Sequence, residues 1–128
     1  MTVLKKNLEA QNYLVNEIGK YKVDALNDRY GEKFQIMPHT KFIANYKELN
    51  SLVDGLTDTD ILINASDDHE LMLSLTQAKV DNKINGPILV CGYGVLAQTA
   101  YLIKNHQTAI KFIDRIKSLI INKKDGII

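Results

Sequence analysis

Four consecutive apolar residues, Ile88-Leu89-Val90-Cys91, run straight into Gly92-Tyr93-Gly94, and this junction constrains the chain more than any other stretch. An apolar run that short, opened by Gly86-Pro87 and closed by glycines, reads as a strand buried in a sheet. A helix-like stretch from Val95 to Asn105 follows, then a second apolar run from Ala109 to Ile113, closed by Asp114. The order is strand, glycine turn, helix, strand. The last step has an alternative: Ala109, Phe112, Ile113, Ile116, Leu119 and Ile120 are also spaced for one helix face running to about Asn122.

The rest of the chain supplies helices and short strands around this unit. In residues 3–30, Leu4, Leu8, Leu14, Val15, Ile18, Tyr21, Ala25, Leu26 and Tyr30 recur at steps of three, four and seven. That spacing predicts a long N-terminal helix over residues 1–31, capped by Thr2, ended by Gly31 and open to a break at Gly19. Lys33 to Met37 is a strand candidate stopped by Pro38, and Asn45 to Val53 a short helix ended by Gly55. Ile61-Leu62-Ile63 has the continuous apolar character of a strand buried on both faces. Ser66 is placed to cap a helix carrying Leu71, Leu75 and Ala78. The expected fold is α/β: a three- or four-stranded, mainly parallel sheet flanked by helices. A single domain is expected over 1–128, with the N-terminal helix at 1–31, the α/β core at 32–122 and a frayed tail at 123–128.

Bulk properties exclude several classes. The 128 residues are 45% hydrophobic and 24% charged with a net charge of +1, so no global field draws the chain to nucleic acid or an anionic membrane. The lone Cys91 cannot form an internal disulfide and suits a reducing compartment. No apolar stretch approaches the roughly 18 residues of a membrane span, and no signal-peptide core opens the chain. A cytoplasmic location and no membrane contact are expected.

Gly92-x-Gly94-x-x-Ala97, read as a turn between strand and helix, satisfies a dinucleotide-binding pattern in which glycines let backbone amides approach a pyrophosphate. Asp114, about 20 residues on, would then reach ribose hydroxyls. Val-Cys-Gly-Tyr-Gly at 90–94 resembles the start of the nucleotide-binding domain of potassium-transport regulators, with Ala97 in place of a third glycine. That resemblance implies NAD or adenine-nucleotide binding at Gly92, Gly94, Ala97 and Asp114. The structural alternative is an unoccupied strand-to-helix turn with a surface carboxylate, needing no cofactor.

A longer stretch, from Asp60 to Phe112, is similar to a small α/β domain found in polyvalent mobile-element proteins and beside conjugative relaxases. The residues that carry this are the strand at 61–63, the Ala-Ser-Asp-Asp helix start at 65–68, Gly86-Pro87, and the strand ending in Gly92. Members of that family carry charged residues after the glycine, where this chain has Tyr93-Gly94-Val95. The resemblance implies a non-catalytic accessory module in a conjugation, DNA-transfer or mobile-element setting; the expected partner of such a module is another protein.

Other candidates are local. Asp58, Asp60, Asp67, Asp68 and Glu70 are acidic neighbours, but they lack the ligand order and central glycine of a calcium loop and read as turn and cap residues. His39, His69 and His106 have no metal spacing and no nucleophile nearby, and His69, in the first turn of its helix, reads as exposed. Lys111, Arg115, Lys117, Lys123 and Lys124 make the last quarter basic, so weak, non-specific DNA contact is expected if they share a face. The sequence thus favours a non-enzymatic binding or interaction module, with regulatory nucleotide binding as the alternative.

Overall fold

A computed structural model describes residues 1–52, 56–93 and 98–124, and the chain divides into two compact units, Met1–Phe42 and Ile43–Ile128. In the first unit the expected long helix is replaced by short pieces: α1 (Asn7–Ala10), a 3₁₀ turn at Val15–Glu17 and α2 (Lys22–Tyr30). The reason lies at Gly19, whose φ of +90° is a left-handed conformation that side chains resist. The chain reverses there. Gly19 N–H donates to the Val3 carbonyl at 2.9 Å, Val3 N–H to the Lys20 carbonyl at 2.7 Å, and Thr2 bridges Tyr21 instead of capping a helix. Val3 and Ala25 are fully buried, whereas Leu4, Leu14, Val15 and Ile18 are exposed, because the apolar residues belong to different elements and not to one stripe. Gly31 does terminate α2, but Lys33 to Met37 forms no strand.

Glu17 ties this unit together. Only 5% exposed, its Oε1 accepts Leu14 N–H at 2.7 Å and also the Arg29 guanidinium, which donates in turn to the Asn12 carbonyl at 2.8 Å. The Leu14 amide first, and Arg29 after it, hold the Glu17 carboxyl below the ordinary glutamate value against the opposing effect of burial.

The second unit is built on β2 (Ile88–Tyr93), the middle of three strands. It pairs parallel with β1 (Leu62–Asn64), Leu62 opposite Ile88 and Asn64 opposite Val90, across the crossover helix α4 (His69–Val80). It pairs antiparallel with β3 (Gln98–Ile103), Ile88 opposite Ile103 and Tyr93 opposite Gln98. The sheet is therefore mixed, not mainly parallel, and the helix expected over 95–105 is a strand at 98–103. Alternation explains it: Ile103 is buried and Tyr101 stacks on Phe112 with ring centroids 4.7 Å apart, while Ala100 and Leu102 are exposed. That period of two fits a half-covered strand.

The segment 109–113 belongs to α5 (His106–Lys124), not to a strand. Ala109, Phe112, Ile113 and Ile116 are buried together at helical spacing. Asn105 starts α5, its Oδ1 accepting Thr108 N–H at 3.0 Å, while Thr108 Oγ1 accepts Lys104 and Asn105 N–H. The third helix of this unit, α3 (Tyr46–Leu52), packs on α4.

Helices α4 and α5 lie against one face of the sheet, and Leu71, Met72, Leu75, Ile84, Ile88, Val90, Ile103, Phe112 and Ile116 form the core between them. The other face carries exposed apolar residues. Ile61 and Ile63 are each 61% exposed and Leu102 is 42% exposed, contrary to the expectation that this strand is buried on both sides. Helix α4 stops at a left-handed Asn82 (φ +60°), with Lys83 N–H donating to the Ala78 carbonyl and Asn82 N–H to that of Lys79. Asp68, not Ser66, caps its start, accepting Glu70 and Leu71 N–H; Ser66 donates to Asn64 Oδ1.

One-sided burial makes neighbouring residues unequal. Val90→Ala should cost on the order of 1–3 kcal/mol and Ile63→Ala less than about 0.5 kcal/mol, both measured by urea denaturation. Equal costs would contradict the single-layer covering.

Glu17 sets a second expectation. A carboxyl whose folded pKa is depressed adds stability that is fully present above its unfolded value of about 4.3 and lost as pH falls through the folded value. Acid unfolding followed below pH 5 should therefore begin at lower pH in Glu17→Gln, which has no such contribution to lose, than in the native chain compared at matched neutral-pH stability. Superimposable normalised acid limbs would remove Glu17 from that role.

Candidate functional site: a lysine-rimmed groove on helices α3 and α4

Residues 70, 73, 74, 77 and 81 recur at steps of three and four and line one side of α4, away from Leu71, Met72 and Leu75 in the core. This side is the floor of a groove of about 690 Å³ that α3, Lys83 and Lys117 of α5 complete. Asn45 positions α3 by accepting Glu48 N–H at 3.1 Å, and Tyr46 N–H docks on Ser74 Oγ at 3.0 Å. The Tyr46 hydroxyl donates to the Lys83 carbonyl at 3.3 Å, and the Lys83 ammonium stands 6.0 Å over the Tyr46 ring. Each end of Tyr46 is thereby held.

Around that floor stand three exposed lysines, Lys47, Lys83 and Lys117, none of which forms an ion pair among the described residues. Glu70 and Asp81 are the facing acids, and Asp81 accepts Gln77 Nε2 at 3.1 Å. Leu73 and Ala78 give the groove apolar surface. The combination of the Tyr46 wall, apolar surface at Leu73 and three ammonium groups against two facing acids suits recognition of an anionic, partly apolar ligand.

The site residues expected from sequence are dispersed. Gly92 lies within β2 opposite Thr99, while Gly94 and Ala97 fall outside the described residues. The next described element is strand β3, so among the described residues no helix follows Tyr93 to present its N-terminus to a pyrophosphate. Asp114 is exposed on α5 and does not end a strand. Of the basic set, Lys111 and Arg115 are exposed and one turn apart, whereas Lys117 lies roughly 120° around α5 from Lys111 and enters the groove. Lys123 and Lys124 occupy the last turn of α5. A single five-residue basic face is not formed by these positions.

Asp60 accepts the Thr57 N–H and hydroxyl, and Asp68 caps α4, so these carboxylates serve backbone. No three of His, Cys, Asp and Glu converge as a metal site among the described residues. His69 is half-buried rather than exposed, and its Nδ1, like Asn64 Nδ2, is enclosed without a hydrogen-bond partner among the described residues.

Sequence reading passed over Lys79. It is 5% exposed, and its Nζ donates to the Gly86 carbonyl at 2.7 Å and that of Asn85 at 3.3 Å, with burial pushing its pKa below the ordinary lysine value. Gly86 is required there because a Cβ would stand 2.0 Å from the Asp60 carbonyl. The groove was also missed. Its only sequence signal is Leu73 amid the polar positions 70, 74, 77 and 81.

Comparisons with known protein families, curated proteins and solved structures gave no match to this chain. Among the described residues no helix is long and apolar enough to cross a membrane.

With Gly92 inside a strand and Asp114 on α5, NAD or ATP at millimolar concentration should leave the melting temperature unchanged. A ligand bound only by the folded chain would raise it by mass action. A rise abolished by Gly94→Val would instead establish nucleotide binding at the Gly92-x-Gly94 sequence.

Proposed function

We propose that this chain is a non-enzymatic interaction module whose groove on α3 and α4 receives an acidic, partly apolar segment of a partner protein. The observation that carries this reading is the set of exposed ammonium groups of Lys47, Lys83 and Lys117, without an ion pair among the described residues, around the groove that Tyr46 walls. Lysines on flexible stems attract carboxylates from a distance, and the tyrosine and leucine supply the short-range contact. A conjugation or mobile-element setting, implied by the resemblance of residues 60–112, belongs to the same proposal. So does weak DNA contact, for which Lys111 and Arg115 offer one exposed pair.

The test is a fluorescence-anisotropy titration with a labelled peptide alternating Glu or Asp with Leu, a Gln/Asn version of it, and a duplex DNA of similar length. Affinity for the acidic peptide in the micromolar to millimolar range is expected, falling with salt and at least about tenfold, near 1.4 kcal/mol, in Lys83→Glu/Lys117→Glu. Binding that ignores both the peptide's charge and the lysine reversals would overturn the groove as the site. Binding of DNA in preference to the peptide would assign the surface to phosphates instead.

A further inference from the structure

Strand β3 ends the sheet with nothing paired to its outer edge among the described residues. Its sequence, Gln98-Thr99-Ala100-Tyr101-Leu102-Ile103, has no charge, no proline and no glycine. Edge strands that stay single are usually shortened, bulged or charged, since their free N–H and C=O groups otherwise template another strand. The opposite edge, β1, has the first of these protections, at three residues. β3 has none of them within its span.

From this edge we infer that β3 pairs antiparallel with β3 of a second copy, about a two-fold axis at Tyr101, joining two sheets into one of six strands. The alternation already seen limits the centre of the seam to a residue, and the inferred centre is the one that sets Ala100 opposite Leu102. Directly opposed residues share a sheet face, so an inward residue must meet an inward one. Centring on Tyr101 satisfies this: Tyr101 meets its own counterpart, and Ala100 meets Leu102 of the other copy. Both members of that second pair lie on the face opposite α4 and α5 and are exposed. The small residue sits opposite the large one, and the apolar row Ile63–Leu89–Leu102, set by the strand pairings, continues across the seam through Ala100 and Cys91 of the second copy. Centring one half-step away would put inward residues against outward ones. Because the axis is normal to the sheet, the helices of both copies lie on the same side and the two apolar rows on the other.

A seam of one strand pair is small beside the roughly 1,200–2,000 Å² of a standard interface, so a dimer in the micromolar range is expected. Sedimentation velocity on the full chain from low to high micromolar concentration should show a shift from monomer to twice its mass. The double variant A100K/L102K sets like charges directly opposite each other across the seam and should remain monomeric, with unchanged far-ultraviolet circular dichroism because both positions face solvent. The variant A100K/L102E sets opposite charges against each other at the same two positions and should dimerise again. I63K, at the far edge of the same apolar face, should dimerise like the native chain. A native chain monomeric throughout, a dimer that survives A100K/L102K, or failure of A100K/L102E to restore it would each overturn the seam. Loss of the dimer in I63K would show two sheets stacked face to face instead.

Discussion

Ile88 and Val90 project from the middle strand into the space between α4 and α5, and the second unit is arranged to cover them. Each such side chain removed from water is worth about 1.5–3 kcal/mol, far more than any exposed polar contact in the molecule. The requirement to cover β2 on that side places the crossover helix α4, then α5, and brings in Ile103 from β3 and Leu62 from β1. It also decides what remains outside. Two helices suffice for one face of three short strands, and the residues between the buried ones are left to solvent. Ile63 and Leu102 are exposed for the same reason that Ile88 and Ile103 are not.

The polar devices act at the joints of this arrangement. Asp68 and Asn105 satisfy the first amides of α4 and α5, Asn82 turns the chain out of α4, and Ser74 docks the start of α3. Each meets a backbone group that would otherwise lack a partner at a helix end. In the first unit, where Val3 and Ala25 are the fully buried apolar residues among those described, Glu17 and Arg29 join the 3₁₀ turn to α2. The groove on α4 arises from the same economy: the side of the helix turned from the core is polar because it is wet, and α3 leans over it through Tyr46.

Those features legible in the sequence were the ones set by strong, local preferences. The apolar run at 88–91, the helix through Leu71, Leu75 and Ala78, the glycine at the end of α2 and the break at Gly19 each follow from residues close together in the chain. Features that depend on distant neighbours were not legible. A stretch such as Gln98–Ile103 fits either helix or strand until β2 lies beside it and Phe112 covers Tyr101. Ile61 and Ile63 look buried on both faces in sequence, because composition does not say that helices cover only one. The glycine pattern at 92–97 matches a phosphate turn only if a helix follows, and the strand pairing of Thr99 with Gly92 took that place. The lysines of the groove come from α3, the segment after α4, and α5, and no sequence window contains them all.

The ammonium of Lys79 is enclosed beneath the turn that leads into β2, held by two carbonyls where Gly86 crosses Asp60. Its chemical accessibility is therefore coupled to the mechanical state of that crossing. Exposed lysines such as Lys47, Lys83, Lys111 and Lys117 meet solvent in the folded protein and react with an amine-directed reagent at once. Lys79 becomes reactive only when its ammonium is released from the Asn85 and Gly86 carbonyls at the strand entrance, and so carries a built-in clock for the opening of that entrance.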